Sequence, residues 1–70
     1  MRYNKYVYDM IRTYIYRDEQ LEQRFVLIHN KHKDTMFIYD IVDNRKRSIE
    51  FVFELNNDID LLKGIMKKVK

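Results

Sequence analysis

The chain has no cysteine, proline, alanine or tryptophan, and a single glycine, Gly64. Without cysteine there is neither a disulfide nor a thiolate metal cage, so the usual supports of very small secreted domains are excluded and a cytoplasmic setting is expected. Without proline, punctuation falls to polar clusters, here Asn30 to Asp34, Asp43 to Arg47 and Asn56 to Asp58. No apolar run approaches the roughly 20 residues that span a bilayer, and the N-terminus lacks the unbroken apolar region of a signal peptide, so no membrane partner is expected. A lone glycine rules out the glycine-rich loops that cradle phosphates. Ser48 is the only serine and has no recognisable triad partner. His29, His32 and Asp34 have a loosely metal-like spacing. A strand-end and a turn histidine do not face one way, so neither a metal nor a cofactor is expected. With no catalytic set legible, no enzymatic activity is expected.

What is present is small and charged. Seventy residues make one domain, 1–70, because a chain of this length buries only about 60% of its unfolded surface and has none to spare for a second core. Its stability is expected to be modest, and a homodimer is one way to raise it. Fourteen basic against eleven acidic residues leave a net charge of +3, too slight an excess to imply nucleic-acid binding by itself. Lysine, isoleucine, asparagine and tyrosine are abundant, as in proteins translated from AT-rich genomes such as those of many phages, mobile elements and their low-GC hosts.

Hydrophobic periodicity changes twice along the chain. Tyr3, Tyr6, Val7, Met10, Ile11, Tyr14 and Ile15 form one stripe at helical spacing, with Asn4 as N-cap and the helix running to about Gln23. Asp18 falls near the centre of that stripe, and the strand-preferring run Thr13 to Tyr16 leaves a hairpin over residues 11 to 29 as the alternative. From Phe25 to Leu55 the period is 2, which predicts an antiparallel meander with turns at Asn30–Asp34 and Asp43–Arg47. Asn44 suits a positive φ. The second strand reads as central, with Phe37, Tyr39 and Ile41 on one side, Met36, Ile38 and Val42 on the other, and Asp40 its one polar interruption. The third strand is expected over residues 48 to 55, with Ile49, Phe51, Phe53 and Leu55 inward. Asn57 or Asp58 then caps a last helix that buries Ile59, Leu62, Ile65, Met66 and Val69, with Gly64 marking close approach to the sheet. The expected fold is α+β, an α-β-β-β-α order whose three-stranded antiparallel meander is packed by N- and C-terminal helices.

Two surfaces stand out. On that topology Arg24, Arg45, Lys46, Arg47, Lys67, Lys68 and Lys70 gather at one end of the sheet, with Arg17 nearby, a cationic pole suited to nucleic acid or to an acidic protein. On the first helix Tyr8, Arg12 and Tyr16 recur every four residues beside Lys5, and tyrosine and arginine are types enriched in interface hot spots. If both helices cover the Phe51 and Phe53 face, the opposite face exposes Met36, Ile38, Val42 and Val52, which calls for a second copy, another protein or a crossing helix. An open edge strand is also available for strand addition.

The element order is that of double-stranded-RNA-binding domains, but their second helix opens with a basic Gly-Ser-Lys-Lys type signature. Here Asn57-Asp58-Ile59-Asp60 would repel phosphate instead. The order is also loosely similar to part of the RelE-like toxins. That similarity implies a metal-free ribonuclease working with Arg, Lys, Tyr and His on a small sheet, although no motif of the family can be matched residue by residue. The expectation that follows from the whole chain is a non-enzymatic macromolecule-binding protein, of phage or mobile-element type, that docks on a host or cognate protein and inhibits or modulates it. Nucleic-acid binding through the basic end is the alternative, and the ribonuclease is third.

Overall fold

The computed structural model describes residues 2–68. Val69, expected in the last apolar stripe, and Lys70, expected in the cationic pole, lie outside them. Helix α1 spans Lys5–Arg17, starting where Asn4 Oδ1 accepts the backbone N–H groups of Tyr6 and Val7 at 3.0 and 3.2 Å, and it buries Val7, Ile11 and Ile15. Residues 11 to 16 are helical, which removes the hairpin alternative. The helix does not run on to Gln23. Asp18 would carry a charge into the buried stripe; instead it turns to extended backbone and becomes the N-cap of a second short helix, α2, Glu19–Glu22. Its Oδ1 accepts from Gln20 and Leu21 N–H, and its Oδ2 accepts from Asn56 Nδ2 at 3.1 Å.

The sheet is a meander, β1 (Phe25–Asn30), β2 (Thr35–Asp40) and β3 (Arg45–Arg47), antiparallel throughout in the order β1-β2-β3. Asp34 and Asn44 take positive φ at the two turns, as Asn44 was expected to do. The third strand is not where alternation placed it. Asp40 pairs with Arg45 across a four-residue turn, so the basic run Arg45–Arg47, read as loop, closes the sheet. Residues Ile49–Leu55 form helix α3 instead. Ser48 Oγ accepts Phe51 N–H at 3.1 Å as its N-cap. The segment satisfies both periods: Ile49, Phe51, Phe53 and Leu55 alternate, while Ile49, Val52 and Phe53 stand at helical spacing. The helix wins because adjacent Val52 and Phe53 are both fully buried, which a strand with one core face cannot achieve. Ile41 and Val42, read as strand, lie in the turn and are largely exposed.

Helix α4, Ile59–Lys67, follows a turn in which Asn57 has positive φ. Asp58 occupies its N-cap position but makes no capping bond, because its carboxylate accepts the Tyr14 hydroxyl at 2.6 Å. The core unites Val7, Ile11 and Ile15 of α1 with Phe25 and Leu27 of β1, Met36 and Ile38 of β2, Val52 and Phe53 of α3, and Leu62 and Ile65 of α4. Every sheet residue in that set points to one face. The Cα extents of 31 × 30 × 17 Å agree with a single helical layer on a single sheet face, since a second layer would add about 10 Å. Gly64 does not mark close approach to anything. A Cβ built there meets no atom within 4 Å.

Candidate macromolecule-binding surfaces

The sheet's basic end is organised around a buried carboxylate. Asp40 ends β2 with no exposed surface, and its oxygens accept five N–H bonds. Arg24 donates from Nε at 3.1 Å and from Nη2 at 2.9 Å, Arg47 donates from Nε at 3.0 Å, and the backbone N–H groups of Val42 and Asp43 each lie at 3.1 Å. Asp43 bridges both guanidiniums from the solvent side. The Arg24 hydrogen bonds, helped by the Asp43 amide and Arg47, hold the Asp40 carboxyl well below the usual carboxylate range against the opposing effect of burial. Phe51 packs against the same cluster, 4.2 Å from the Arg47 guanidinium and 5.8 Å from that of Arg24.

This cluster dismantles the expected cationic pole. Arg24 and Arg47 are internal structural cations, and only Arg45 and Lys46 remain there without a carboxylate partner among the described residues. Lys67 and Lys68 are not there either. Because residues 49–55 form a helix rather than a strand, α4 starts beside Arg17 and Asp18 and finishes with Lys68 beside Tyr6, toward the opposite end, while Lys67 faces Glu50 of α3. The sequence signal for the cluster was Asp40 itself, since an acid inside an apolar strand must be paired.

The tyrosine ridge of α1 divides in the same way. Tyr8 is half-buried and leans on an aromatic group in which Tyr3 stacks on His29 at 3.7 Å. Lys5 is paired with Asp9 at 3.0 Å. Arg12 and Tyr16 stay exposed as a pair, the guanidinium 5.6 Å from the ring centroid. His29 has its Nε2 out of contact with solvent, 3.5 Å from Asp34 and too poorly placed for a hydrogen bond, while His32 sits in the exposed turn. Both lie at the end of β1 remote from Arg24, and among the described residues no three metal-binding side chains converge.

Two surfaces emerge that the sequence did not delineate. One is a groove between α1 and α4, about 510 Å³ at its Tyr14 and Asp58 end and about 240 Å³ at its Tyr6 and Lys68 end, with Met10, Leu61 and Ile65 common to both. Tyr6, Met10 and Leu61 are 41%, 38% and 50% exposed along it, and Gly64 forms part of its wall. The other is the sheet face turned away from the helices. Its residues are Phe37 and Tyr39 with Val26 and Ile28, all half-buried and under no helix, the reverse of the expected Met36, Ile38 and Val52, which are all buried. The reversal follows from α3, since the helices dock on the Met36 and Ile38 side once Phe51 and Phe53 no longer belong to a strand. No family model, curated protein or solved structure matches the chain. Among the described residues no helix is long and apolar enough to cross a membrane.

Proposed function

We propose that this chain is a small non-enzymatic docking module, of the phage or mobile-element kind, that modulates a host or cognate protein by binding it through the helical layer. The observation that carries this reading is Gly64. Glycine inside a helix costs about 1 kcal/mol relative to alanine, its φ here is not positive, and no neighbour approaches closely enough to require it. What its missing side chain does is keep open the wall of a groove where Tyr6, Met10 and Leu61 leave apolar surface in water, bordered by Asp60 and Lys68. Aromatic residues, methionine and arginine are the types enriched in interface cores. Arg12 and Tyr16, on the other flank of α1, extend the contact surface, and the occupant that fits is a protein segment offering apolar side chains to the groove.

Gly64→Ala is accordingly expected to raise stability by about 0.5–1 kcal/mol in urea unfolding while weakening complex formation. Unchanged or lower stability would mean that Gly64 has a structural role. For the docking reading, a photo-crosslinking residue placed at Leu61 should trap a discrete protein in the native host. Met10→Lys or Leu61→Lys should abolish its co-purification with the circular dichroism spectrum intact, whereas Arg45→Glu should not. Retention of the partner by both lysine variants rejects the groove, and the same test on Arg12→Glu with Tyr16→Ala decides whether the second flank takes part.

A further inference from the structure

On the opposite side of the molecule the sheet presents a face that no described helix covers. Register fixes its membership, because side chains alternate across a strand. Val26 stands opposite Tyr39, Ile28 opposite Phe37 and Asn30 opposite Thr35, while β3 places Lys46 beside Tyr39, and Arg2, bridged to Thr35, flanks the other end. None of Val26, Ile28, Phe37 or Tyr39 packs on the core. The face thus holds two flat rings, two residues and about 7 Å apart along one strand, with Lys46 reaching over Phe37 from β3, Arg2 beside Thr35, and no carboxylate among these positions. Lys46 Nζ lies 4.4 Å from the Phe37 ring centroid, and the Tyr39 hydroxyl is held by Asn44 Oδ1. Neither Arg2 nor Lys46 has an ion-pair partner among the described residues, in contrast to Arg24 and Arg47, which Asp40 and Asp43 neutralise.

Charge selects the occupant. A second copy stacked on this face would set Arg2 and Lys46 against the same cations of its twin with no acid to pair them, so self-association is disfavoured and an anion is favoured. Half-buried rings on a sheet face that no described helix covers, spaced along a strand and bordered by cations, match a ligand that carries flat groups and negative charge at regular intervals. Unpaired bases stack on such rings whatever their identity, while lysine and arginine take up the phosphates. Duplex bases are already stacked on each other and offer no free face to Phe37 or Tyr39. We infer that the Phe37–Tyr39 face binds single-stranded nucleic acid, by base stacking on the two rings and phosphate contact from Lys46 and Arg2. This surface is separate from the α1–α4 groove, and the inference does not rest on the protein-docking reading.

Fluorescence anisotropy with a labelled oligothymidylate of about 15 nucleotides tests it on the full chain at low salt. The expected result is saturable binding that weakens with salt, and a duplex of the same length bound at least about tenfold less well. Phe37→Ala should weaken binding about 5- to 100-fold and leave the salt slope alone. Lys46→Ala should lower the log–log salt slope by about 0.7, and Lys46→Glu should weaken binding further. Neither lysine change touches the core, so loss of fold cannot account for their effect. Met10→Lys and Leu61→Lys, on the other side, should bind the oligonucleotide normally, which separates this result from failure of the groove. Any of three outcomes overturns the inference: no binding at low salt, equal affinity for duplex, or displacement of the strand by polyglutamate as readily as by unlabelled oligonucleotide. A dimeric mass in solution that Phe37→Ala returns to monomer would assign the face to a second copy instead.

Discussion

Asp40→Asn is expected to destabilise the fold by the order of 3 kcal/mol, and Asp40→Ala by more. Removing one partner of a buried ion pair costs about 3–5 kcal/mol. The lower figure applies here because the Arg24 and Arg47 side chains keep 28% and 16% of their surface and can partly rehydrate. For a 70-residue chain whose total stability is of the order of 4–10 kcal/mol, that is a large share, and it corresponds to a fall in Tm of about 15 °C. The same carboxylate sets the acid limb of the stability curve. Its pKa is depressed in the folded state, so its contribution is complete above the unfolded value of about 4 and is lost as pH falls toward the folded value. Between about pH 5 and 2 the wild-type chain should lose stability with a slope that Asp40→Asn flattens by up to about 1.4 kcal/mol per pH unit. Urea unfolding at a series of pH values measures this, and an unaltered acid slope in the variant would remove Asp40 as the anchor.

The α1 stripe, the first hairpin and the last helix are legible in the sequence because one period dominates each segment, and at α1 the Asn4 cap agrees with it. Asn4, Asn44 and the apolar positions Leu62 and Ile65 stand as the pattern implies. Residues 49 to 55 are illegible for a definite reason. Seven residues carry too few turns to separate alternation from helical spacing, and the deciding contacts, Phe51 against Arg24 and Arg47 and Tyr14 on Phe53, are tertiary. That single ambiguity spreads. It moves the closing strand onto Arg45–Arg47, reverses which sheet face the helices leave uncovered, and sends Lys68 away from Arg45. The candidate surfaces inherit those shifts. Arg12, Tyr16, Arg45 and Lys46 were visible as exposed binding types, whereas Phe37, Tyr39, Tyr6 and Leu61 enter the proposed surfaces only after the topology says which side of each element faces away from the core.

Phe53 is where the helical assignment of that segment can be tested most severely. Its ring is fully buried and stacks on Tyr14 at a centroid distance of 4.0 Å and an interplanar angle of 11°, joining α3 to α1 while the Tyr14 hydroxyl reaches Asp58 ahead of α4. Phe53→Ala should cost about 3–5 kcal/mol, enough to leave much of the chain unfolded at 37 °C. Phe53→Leu should cost about 1–1.5 kcal/mol and keep the fold available for measurement. Burial, reinforced by the hydrogen bond to Asp58, pushes the Tyr14 phenol up to about 12 from 10.0. Because the folded value is the higher one, the stability linked to Tyr14 is complete below about pH 10 and fades as pH rises toward 12. Ultraviolet titration should therefore show a phenol ionising near pH 12 that Tyr14→Phe deletes and that Phe53→Leu moves downward, because the smaller side chain admits water to the ring. Val52→Ala supplies the internal control. On a strand Val52 would face away from Phe53 and its truncation would be nearly silent, but on α3 both side chains enter the core, so a cost above about 1.5 kcal/mol is expected for this substitution as well. A silent Val52→Ala together with a costly Phe53→Ala would restore the strand and remove the reversed sheet face on which the nucleic-acid proposal depends.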